Sequence, residues 1–160
     1  ASDLPFIWDI LKQAISRRKK DGSNQWQDGY PNLSVIEADI AKGCGFVLLK
    51  EKTIVGYTAL LINDEPEYAR LEGEWLSNDD FVVFHRVAIS QEHLGMGLAK
   101  KLFLHIERFA KLHKINSIKA DTNFDNPAML ALFDKLGYKY CGQVYFRGSP
   151  RRAYEKILQP

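Results

Sequence analysis

The pattern of apolar and polar residues predicts that the chain opens with two amphipathic helices. Apolar side chains recur at spacings of three and four over residues 6–15, which is typical of a helix with one buried face. Ser2 or Asp3 is expected to cap this helix. A second, shorter helix is predicted from Ser34, because Ser34 and Glu37 have the spacing of a capping box.

Three β-rich runs follow the helices. Residues 46–49 and 53–62 are joined by a charged turn and predict a hairpin. Residues 63–80 are acidic and irregular, and we expect them to form a solvated connection. The run 81–89 is apolar on both faces except at His85 and Arg86, as expected of a central strand.

The second half of the chain alternates between helix and strand. A helix is predicted over 97–114, a strand over 116–122 and a helix over 126–136, followed by strands 138–146 and 153–158 on either side of a turn. This order contains one β–α–β unit and two hairpins. It therefore predicts an α/β protein, or α+β by some schemes, with a mixed sheet.

Composition and charge narrow the class of protein. The chain has 160 residues, of which 46% are hydrophobic, and we expect residues 1–160 to form a single domain. The 22 basic and 20 acidic side chains give a net charge of +2, which argues against a nucleic-acid partner. No apolar run approaches the roughly 20 residues of a membrane span, and no signal peptide opens the sequence. We therefore expect a soluble, cytoplasmic protein.

The most informative segment is the glycine loop, residues 90–97, which connects the strand ending at Ile89 to the helix 97–114. Gly95 and Gly97 let main-chain N–H groups approach an anion at a helix N-terminus, as in a phosphate cradle. A helix cap explains the same glycines. A dinucleotide site would need a third glycine where Lys100 lies, although Asp121 stands about where a ribose-binding acid would. A Walker A loop is excluded, because no Gly-Lys-Ser/Thr follows.

Two motifs in this order resemble the GNAT acetyltransferases. Glu92-His93-Leu94-Gly95-Met96-Gly97 is similar to the family's Gln/Arg-x-x-Gly-x-Gly/Ala motif and follows the strand at the family's spacing. Residues 126–138, NPAMLALFDKLGY, are similar to the family's Asn-x-x-Ala-x-x-Leu-Tyr-Glu-Lys-x-Gly-Phe block. The resemblance covers nearly the whole chain and implies a twisted mixed sheet with helices on both faces.

The resemblance also implies an enzyme that transfers an acetyl group from acetyl-CoA to a primary amine by direct attack. The acceptor would be a small-molecule amine or an amino group of a protein or peptide, and a homodimer paired at sheet edges is an option in this family. No nucleic acid, membrane or metal is expected to take part. The cofactor contacts implied by the resemblance lie at the strand end, in the glycine loop, in the first turn of its helix and at one downstream residue: Val87, Ala88, Ile89, Leu94, Gly95, Met96, Gly97, Leu98, Ala99, Lys100 and Asn126.

The chemistry of amine acetylation points to further residues. An alkylammonium group must lose a proton before it attacks, and His85 is the best candidate for the base. Glu72 and Glu74 are weaker candidates, and a buried, hydrogen-bonded structural role explains His85 equally well. Trp26 and Tyr30 lie in the connection that, by resemblance, borders the acceptor pocket.

One departure from the family keeps another class of function open. Phe133 stands where many GNAT members have the tyrosine that protonates the departing thiolate, so this role is vacant or has moved to Tyr138, Tyr140 or Tyr145. An acyl-CoA-binding sensor with little catalysis is therefore an alternative to an enzyme. A nucleotide-dependent oxidoreductase is a third and weaker alternative. Cys141 is expected to be a small strand residue rather than a nucleophile.

Overall fold

The computed structural model describes residues 2–159, which form four α-helices and seven β-strands. In chain order these are α1 Leu4–Lys20, α2 Leu33–Lys42, β1 Gly45–Lys50, β2 Thr53–Ile62, β3 Glu72–Gly73, β4 Phe81–Ile89, α3 Leu98–Leu112, β5 Ser117–Thr122, α4 Pro127–Lys135, β6 Lys139–Phe146 and β7 Ser149–Ile157. The strands form one sheet with the order β1-β2-β4-β5-β7-β6-β3. Strands β4 and β5 are parallel, whereas β1–β2, β5–β7, β6–β7 and β3–β6 are antiparallel. The predicted α/β class with a mixed sheet is confirmed.

The chain divides into two compact units. The first unit contains the chain up to Leu60 together with His85–Leu104, and the second contains Leu61–Phe84 and the chain from His105 onward. The prediction of a single domain over residues 1–160 stays a prediction. In the part of the chain that is described, no helix is long and apolar enough to cross a bilayer.

The core of the first unit lies between α1, α2 and the central strands. The buried face of α1 consists of Ile7, Ile10, Leu11 and Ala14, which pack with Ile36, Tyr57 and Ala88. Phe6 was expected on this face but is 63% exposed, because it lies at the edge of the buried stripe in the first turn of the helix.

Both predicted helix caps differ from the observed ones. Asp3 stands at the start of α1 in a helical conformation, and its side chain makes no capping hydrogen bond. Helix α2 is capped by Asn32, whose Oδ1 accepts a hydrogen bond from the Val35 N–H at 3.1 Å, so the predicted Ser34–Glu37 capping box is wrong. The extended backbone of Asn32 presents its side chain to the first turn, and an asparagine in that position is among the best N-caps.

The second unit contains a core cluster in which Tyr68 packs with Val83 of β4, Val144 of β6 and Ala153 of β7. The connection 63–80, expected to be irregular, includes a 3-10 turn at Pro66–Arg70 and the short strand β3. Glu155 on β7 is completely buried and accepts hydrogen bonds from the Leu76 N–H and the Ser77 hydroxyl. These hydrogen bonds hold residues 76 and 77 of the connection against β7.

Strand β3 depends on two glycines. Gly73 and Gly142, a registered pair of β3 and β6, have φ values of 149° and 143°. A Cβ on Gly73 would collide with the carbonyl oxygen of Cys141, and a Cβ on Gly142 would collide with that of Glu72. The two strands therefore approach each other more closely than any side chain at these positions would permit.

Two turns of the second unit differ from the predicted boundaries for local reasons. Helix α3 ends at Leu112 rather than 114, because Lys114 is left-handed (φ 59°) and the Ile115 N–H bonds back to the Ala110 carbonyl at 2.9 Å. Strand β7 begins at Ser149 rather than 153. Arg147 and Gly148 both have positive φ and close the hairpin as a two-residue turn, so the strands continue further than the Pro150 in the sequence suggested.

Candidate active site

The end of β4 is held firmly inside the first unit. Val87, Ala88 and Ile89 are all buried. The Ser90 N–H donates to the Val55 carbonyl at 2.8 Å, so the strand stays paired up to its last residue. Gly56 on β2 allows this close approach, because a Cβ there would lie 3.0 Å from Ile89 Cδ1 and 3.4 Å from the Ala88 carbonyl oxygen.

The glycine loop leaves this strand and opens α3. Gly95 and Gly97 are left-handed, with φ values of 78° and 72°, which explains why this loop contains glycine at both positions. A Cβ built on either glycine meets no described heavy atom within 4 Å, so neither glycine is required for internal packing. The loop therefore borders open space on the side where these Cβ atoms would stand.

The start of α3 supplies main-chain donors beside this space. The Lys101 N–H bonds to the Gly97 carbonyl at 3.2 Å and begins the helical ladder. The N–H groups of the first helical residues, Leu98, Ala99 and Lys100, have no carbonyl one turn earlier within the helix to bond to. Such donors at a positive helix end are suited to an anion such as a pyrophosphate, and the observed loop fits that ligand.

Helix α1 fastens the beginning of the glycine loop. Arg17 donates to the Ile89 carbonyl at 3.0 Å and to Gln91 Oε1 at 2.8 Å, and Gln13 Oε1 accepts from the Gln91 N–H at 2.8 Å. The sequence-based interpretation missed this support. The available signal was Gln13 and Arg17, two polar residues four positions apart on α1.

Strand β4 changes conformation one residue after His85. His85 is half-buried, and its carbonyl oxygen accepts a hydrogen bond from the Thr58 hydroxyl at 3.0 Å. Arg86 is left-handed, with φ 57°, inside the strand. A non-glycine residue in this conformation costs about 1–2 kcal/mol and interrupts the alternation of side chains along the strand.

A buried polar network surrounds the Arg86 side chain. Arg86 Nε and Nη2 donate to the two carboxylate oxygens of Asp39 at 2.9 and 2.6 Å, and Nη1 donates to the Tyr30 hydroxyl. The Tyr57 hydroxyl donates to Asp39 Oδ2 at 2.7 Å, and the Cys44 thiol lies 3.7 Å from Oδ1. This network connects Arg86, the irregular residue of β4, to helix α2 and to the loop that contains Tyr30.

The network explains the ionisation of its members. Burial disfavours the charge of Arg86, but Tyr30 and Asp39 outweigh this effect and raise the pKa of Arg86 above its ordinary value. Burial, helped by the hydrogen bond to Asp39, raises the pKa of Tyr57 well above its ordinary value. Arg86 therefore stays charged and Tyr57 stays neutral, which preserves every hydrogen bond of the cluster.

The two aromatic residues predicted to contact the acceptor have different environments. Trp26 is only 5% exposed, belongs to the core of the first unit, and lies with its ring centroid 3.8 Å from the guanidinium carbon of Arg18. Burial lowers the pKa of Arg18 to about 10. Tyr30 is half-buried and bonded to Arg86. The structure thus favours a packing role for Trp26, and an acceptor contact by either ring stays a prediction.

The remaining predicted residues lie in the second unit. Asn126 caps α4, with its Oδ1 accepting from the Met129 N–H at 3.3 Å, and its contact with the cofactor stays a prediction. Phe133 is completely buried, with its ring centroid 4.7 Å from that of Tyr154 and 5.2 Å from that of Tyr138. Of the candidate hydroxyls, that of Tyr138 is buried, Tyr140 is exposed, and Tyr145 donates to Glu72 Oε1 at 3.0 Å.

Cys141 is a buried free thiol, and burial raises its pKa above the ordinary value. A raised pKa leaves little thiolate at neutral pH, so the environment does not activate this sulfur as a nucleophile. Among residues 2–159 no group of three or more His, Cys, Asp or Glu side chains is arranged to hold a metal ion.

Comparison with known proteins agrees with this arrangement. The model of the acetyltransferase (GNAT) family matches residues 8–138. The structure of a GNAT-family acetyltransferase from Streptococcus agalactiae 2603 is 34% identical in sequence and superimposes with a TM-score of 0.90. The match covers 99% of this chain and 92% of the Streptococcus chain.

Curated relatives point to the same family. The uncharacterized N-acetyltransferase YesJ of Bacillus subtilis (strain 168) is 24% identical over 142 residues, which are 88% of this chain and 78% of YesJ. Human N-acetyltransferase 8B is 28% identical over 146 residues, and the matched region is 89% of this chain but 58% of the human protein. With its glycine loop, its mixed sheet and a family match over most of its length, this chain belongs to the GNAT family of acetyltransferases.

Proposed function

We propose that this acetyltransferase transfers the acetyl group of acetyl-CoA to a primary amine by direct attack of the amine on the thioester. The observation that carries the proposal is the glycine loop. Two left-handed glycines border open space at the start of α3, directly after a buried strand. Acetyl-CoA, when bound, supplies an activated acetyl thioester.

In this proposal the main chain does most of the donor binding. The N–H groups from Leu94 to Lys100 hold the pyrophosphate, and the exposed side chains of Leu94 and Met96 leave them accessible. The backbone of Val87, Ala88 and Ile89 runs along the pantetheine arm. Arg17 and Gln13 support the loop by fixing Gln91, so they act as positioning residues.

His85 is the base in this proposal. An alkylammonium group has a pKa near about 10, so at neutral pH a neighbouring base must accept a proton before the nitrogen attacks. A histidine titrates in the range where such a base is useful. The Thr58 hydroxyl holds the His85 carbonyl at 3.0 Å, so the backbone that carries the imidazole is fixed.

The donor site is tested by Gly97→Val. A valine at φ 72° is strained, and its branched side chain would enter the open space beside the loop. Isothermal titration calorimetry should show CoA affinity reduced at least about tenfold. Gly22→Val is the matched control, because Gly22 is also left-handed (φ 79°) with no described atom near its Cβ position. Equal CoA affinity in both variants would contradict the assignment of the loop.

The base is tested by His85→Ala. The variant should lower kcat/KM by about 10²–10⁴ and remove the acidic limb of the pH profile, while CoA affinity stays near that of the wild type. Release of free CoA thiol reports the rate across a panel of amines. A normal rate with an unchanged pH profile would exclude His85 as the base.

An acyl-CoA-binding sensor with little catalysis is the second candidate, and Phe133 favours it. Measurable turnover of acetyl-CoA with any amine would argue against a sensor. Phe133→Tyr tests the missing hydroxyl directly. We expect little gain in rate, because the added oxygen would enter a closed aromatic cluster rather than a solvated site. A large gain would instead identify the wild type as an impaired catalyst.

A further inference from the structure

Strand β4 contains a strained residue within its length. Arg86 has φ 57°, and among the described non-glycine residues with positive φ it is the one that lies inside a strand. The others, such as Glu51, Asn63 and Arg147, lie in turns and bends outside the strands. A side chain in this conformation is unfavourable and persists only where its surroundings hold it. The contacts of Arg86 therefore have to offset this strain.

The Arg86 side chain is anchored to helix α2. Its Nε and Nη2 donate to the two carboxylate oxygens of Asp39 at 2.9 and 2.6 Å, with 10% of the arginine and 7% of the aspartate side chain exposed. Two parallel bonds of this kind fix the angle between the groups as well as the distance. The Tyr57 hydroxyl holds Asp39 in turn, at 2.7 Å. All three residues belong to the first unit, so the anchor and the strained strand segment lie in one compact unit.

The conformation of Arg86 determines how the His85 peptide group is oriented. The carbonyl of His85 and the N–H of Arg86 belong to one planar peptide bond, which turns as a whole when the φ of Arg86 changes. In the observed orientation the carbonyl accepts a hydrogen bond from the buried Thr58 hydroxyl at 3.0 Å. Rotation of Arg86 to an ordinary extended φ would break this bond and turn the backbone that carries the imidazole. The Asp39 anchor and the Thr58 hydroxyl together fix that backbone.

Stability alone does not account for this arrangement. A buried ion pair carries a desolvation cost, and apolar side chains of similar volume often stabilise a fold as well or better. A left-handed arginine adds backbone strain to that cost. Strain of this kind is concentrated at functional sites, and the residue directly before Arg86 is the proposed base.

We propose that the Asp39–Arg86 ion pair positions the His85 imidazole, so that Asp39 and Arg86 are positioning residues of the site. The proton of the attacking amine passes to the imidazole, and neither Asp39 nor Arg86 exchanges a proton. Their contribution is geometric, because proton transfer needs the base within hydrogen-bond distance of the amine. This inference rests on the proposed role of His85 as the base.

A double-mutant cycle between Asp39 and His85 is the kinetic test. In Asp39→Asn one acceptor oxygen becomes an amide donor, so the amide cannot accept from both Arg86 nitrogens. With acetyl-CoA and the amine of the panel that turns over fastest, kcat should fall about tenfold to hundredfold, while KM for acetyl-CoA changes less than about twofold. On the His85→Ala background the same substitution should change kcat less than about twofold, because its effect passes through the imidazole. Equal losses on both backgrounds would overturn the inference.

Ile36→Ala is the matched control for lost stability. Ile36 lies on α2 about one turn before Asp39 and is completely buried, so its truncation leaves a cavity in the same unit. The kcat per CoA-binding site, counted by calorimetric titration, should change less than about twofold. Arg86→Lys keeps a cation beside Asp39 without the two parallel bonds, so it should fold and give a kcat between wild type and Asp39→Asn. A loss in Ile36→Ala as large as in Asp39→Asn would contradict a specific role of the ion pair.

A spectroscopic experiment separates this inference from the proposed function. The chain has four histidines, so the imidazole signal that disappears from a carbon–proton NMR spectrum in His85→Ala belongs to His85. Asp39→Asn should shift or split this signal, even if no amine is acetylated, and leave that of His113 in the second unit unchanged. Ile36→Ala should leave both signals unchanged. An unmoved His85 signal in Asp39→Asn would overturn the positioning role, whereas a normal rate in His85→Ala with a signal that still responds would count against the proposed base only.

Discussion

Arg86 and Arg151 have the same exposure, with 10% of each side chain accessible, but opposite hydrogen-bonding states. Arg86 in the first unit donates to both oxygens of Asp39 and to the Tyr30 hydroxyl. Within residues 2–159, Arg151 in the second unit has one ion-pair partner, at 3.6 Å. The comparison teaches that two arginines of equal burial can differ in how well the protein satisfies their hydrogen-bond donors.

The difference follows from the elements that carry the partners. Asp39 lies on helix α2 and Tyr30 in the loop before it, so Arg86 takes both partners from outside the sheet. Asp121 lies on β5 opposite Ala153, two residues from Arg151, and the strand register fixes this diagonal spacing. Diagonal positions on neighbouring strands lie within reach of a long side chain. Asp121 is held by the Tyr68 hydroxyl at 2.7 Å, however, and its Oδ1 stays 3.6 Å from Arg151 Nη1.

Among the substitutions that test this comparison, Arg86→Met should have the largest effect on stability. This substitution removes three hydrogen bonds and leaves the buried Asp39 without its cation, so it should reduce the free energy of unfolding by about 3–5 kcal/mol. Urea denaturation followed by circular dichroism measures the loss. A cost below about 1 kcal/mol would show that the network is not structural.

The two tyrosine–aspartate hydrogen bonds, each 2.7 Å long, form a matched pair for a second experiment. Tyr68→Phe should cost about 2–3 kcal/mol, because Asp121 then keeps only its long ion pair. Tyr57→Phe should cost about 1 kcal/mol, because Asp39 keeps two bonds from Arg86. The reverse order in urea denaturation would contradict the interpretation that Tyr68 is the main partner of Asp121.

Arg151→Met should have a smaller effect on stability than Arg86→Met. No hydrogen bond from the Arg151 side chain is lost within the described chain, and the methionine fills most of the same apolar space. We expect a loss of about 1–2 kcal/mol, because Asp121 loses a distant counter-ion. A loss as large as that of Arg86→Met would mean that Arg151 is itself a structural charge.

Asp9→Asn should have the smallest effect on stability and serves as the surface reference for the substitutions of buried residues. Asp9 pairs with Lys12 at 3.5 Å on the exposed side of α1, with 69% of the aspartate side chain accessible. Exposed pairs of this kind contribute little, so we expect a change below about 0.5 kcal/mol. A clearly larger loss would indicate that differences in burial do not explain the ranking.

Most of the fold was predictable because local periodicity determined it. Strand β4 and the hairpin β1–β2 follow directly from runs of apolar and β-branched residues, and Asn126 lies directly before the helix that the sequence placed there. The caps of α1 and α2 and strand β3 were not predictable. They depend on the conformation of single residues and on pairing with a strand about 70 positions away.

The site was predictable only where the main chain carries the chemistry. Gly95 and Gly97 are visible in the sequence because their conformation requires glycine. The Arg86 network had one faint signal, a charged residue within an apolar strand, but its partner Asp39 is distant in sequence and lies on helix α2. The unpartnered Nε of Arg151 has no sequence signal, since hydrogen-bond satisfaction depends on three-dimensional neighbours.

The paired glycines of β3 and β6 have a consequence for how this protein tolerates mutation. Because the Cβ of either position would strike the backbone opposite, a change at Gly142 cannot be rescued by any residue placed at Gly73. A saturation library should therefore recover glycine at both sites and no compensating double variant, although Gly22, Gly29 and Gly43 have open surroundings. The codons of these two glycines are therefore constrained together, although about 70 residues separate them in the chain.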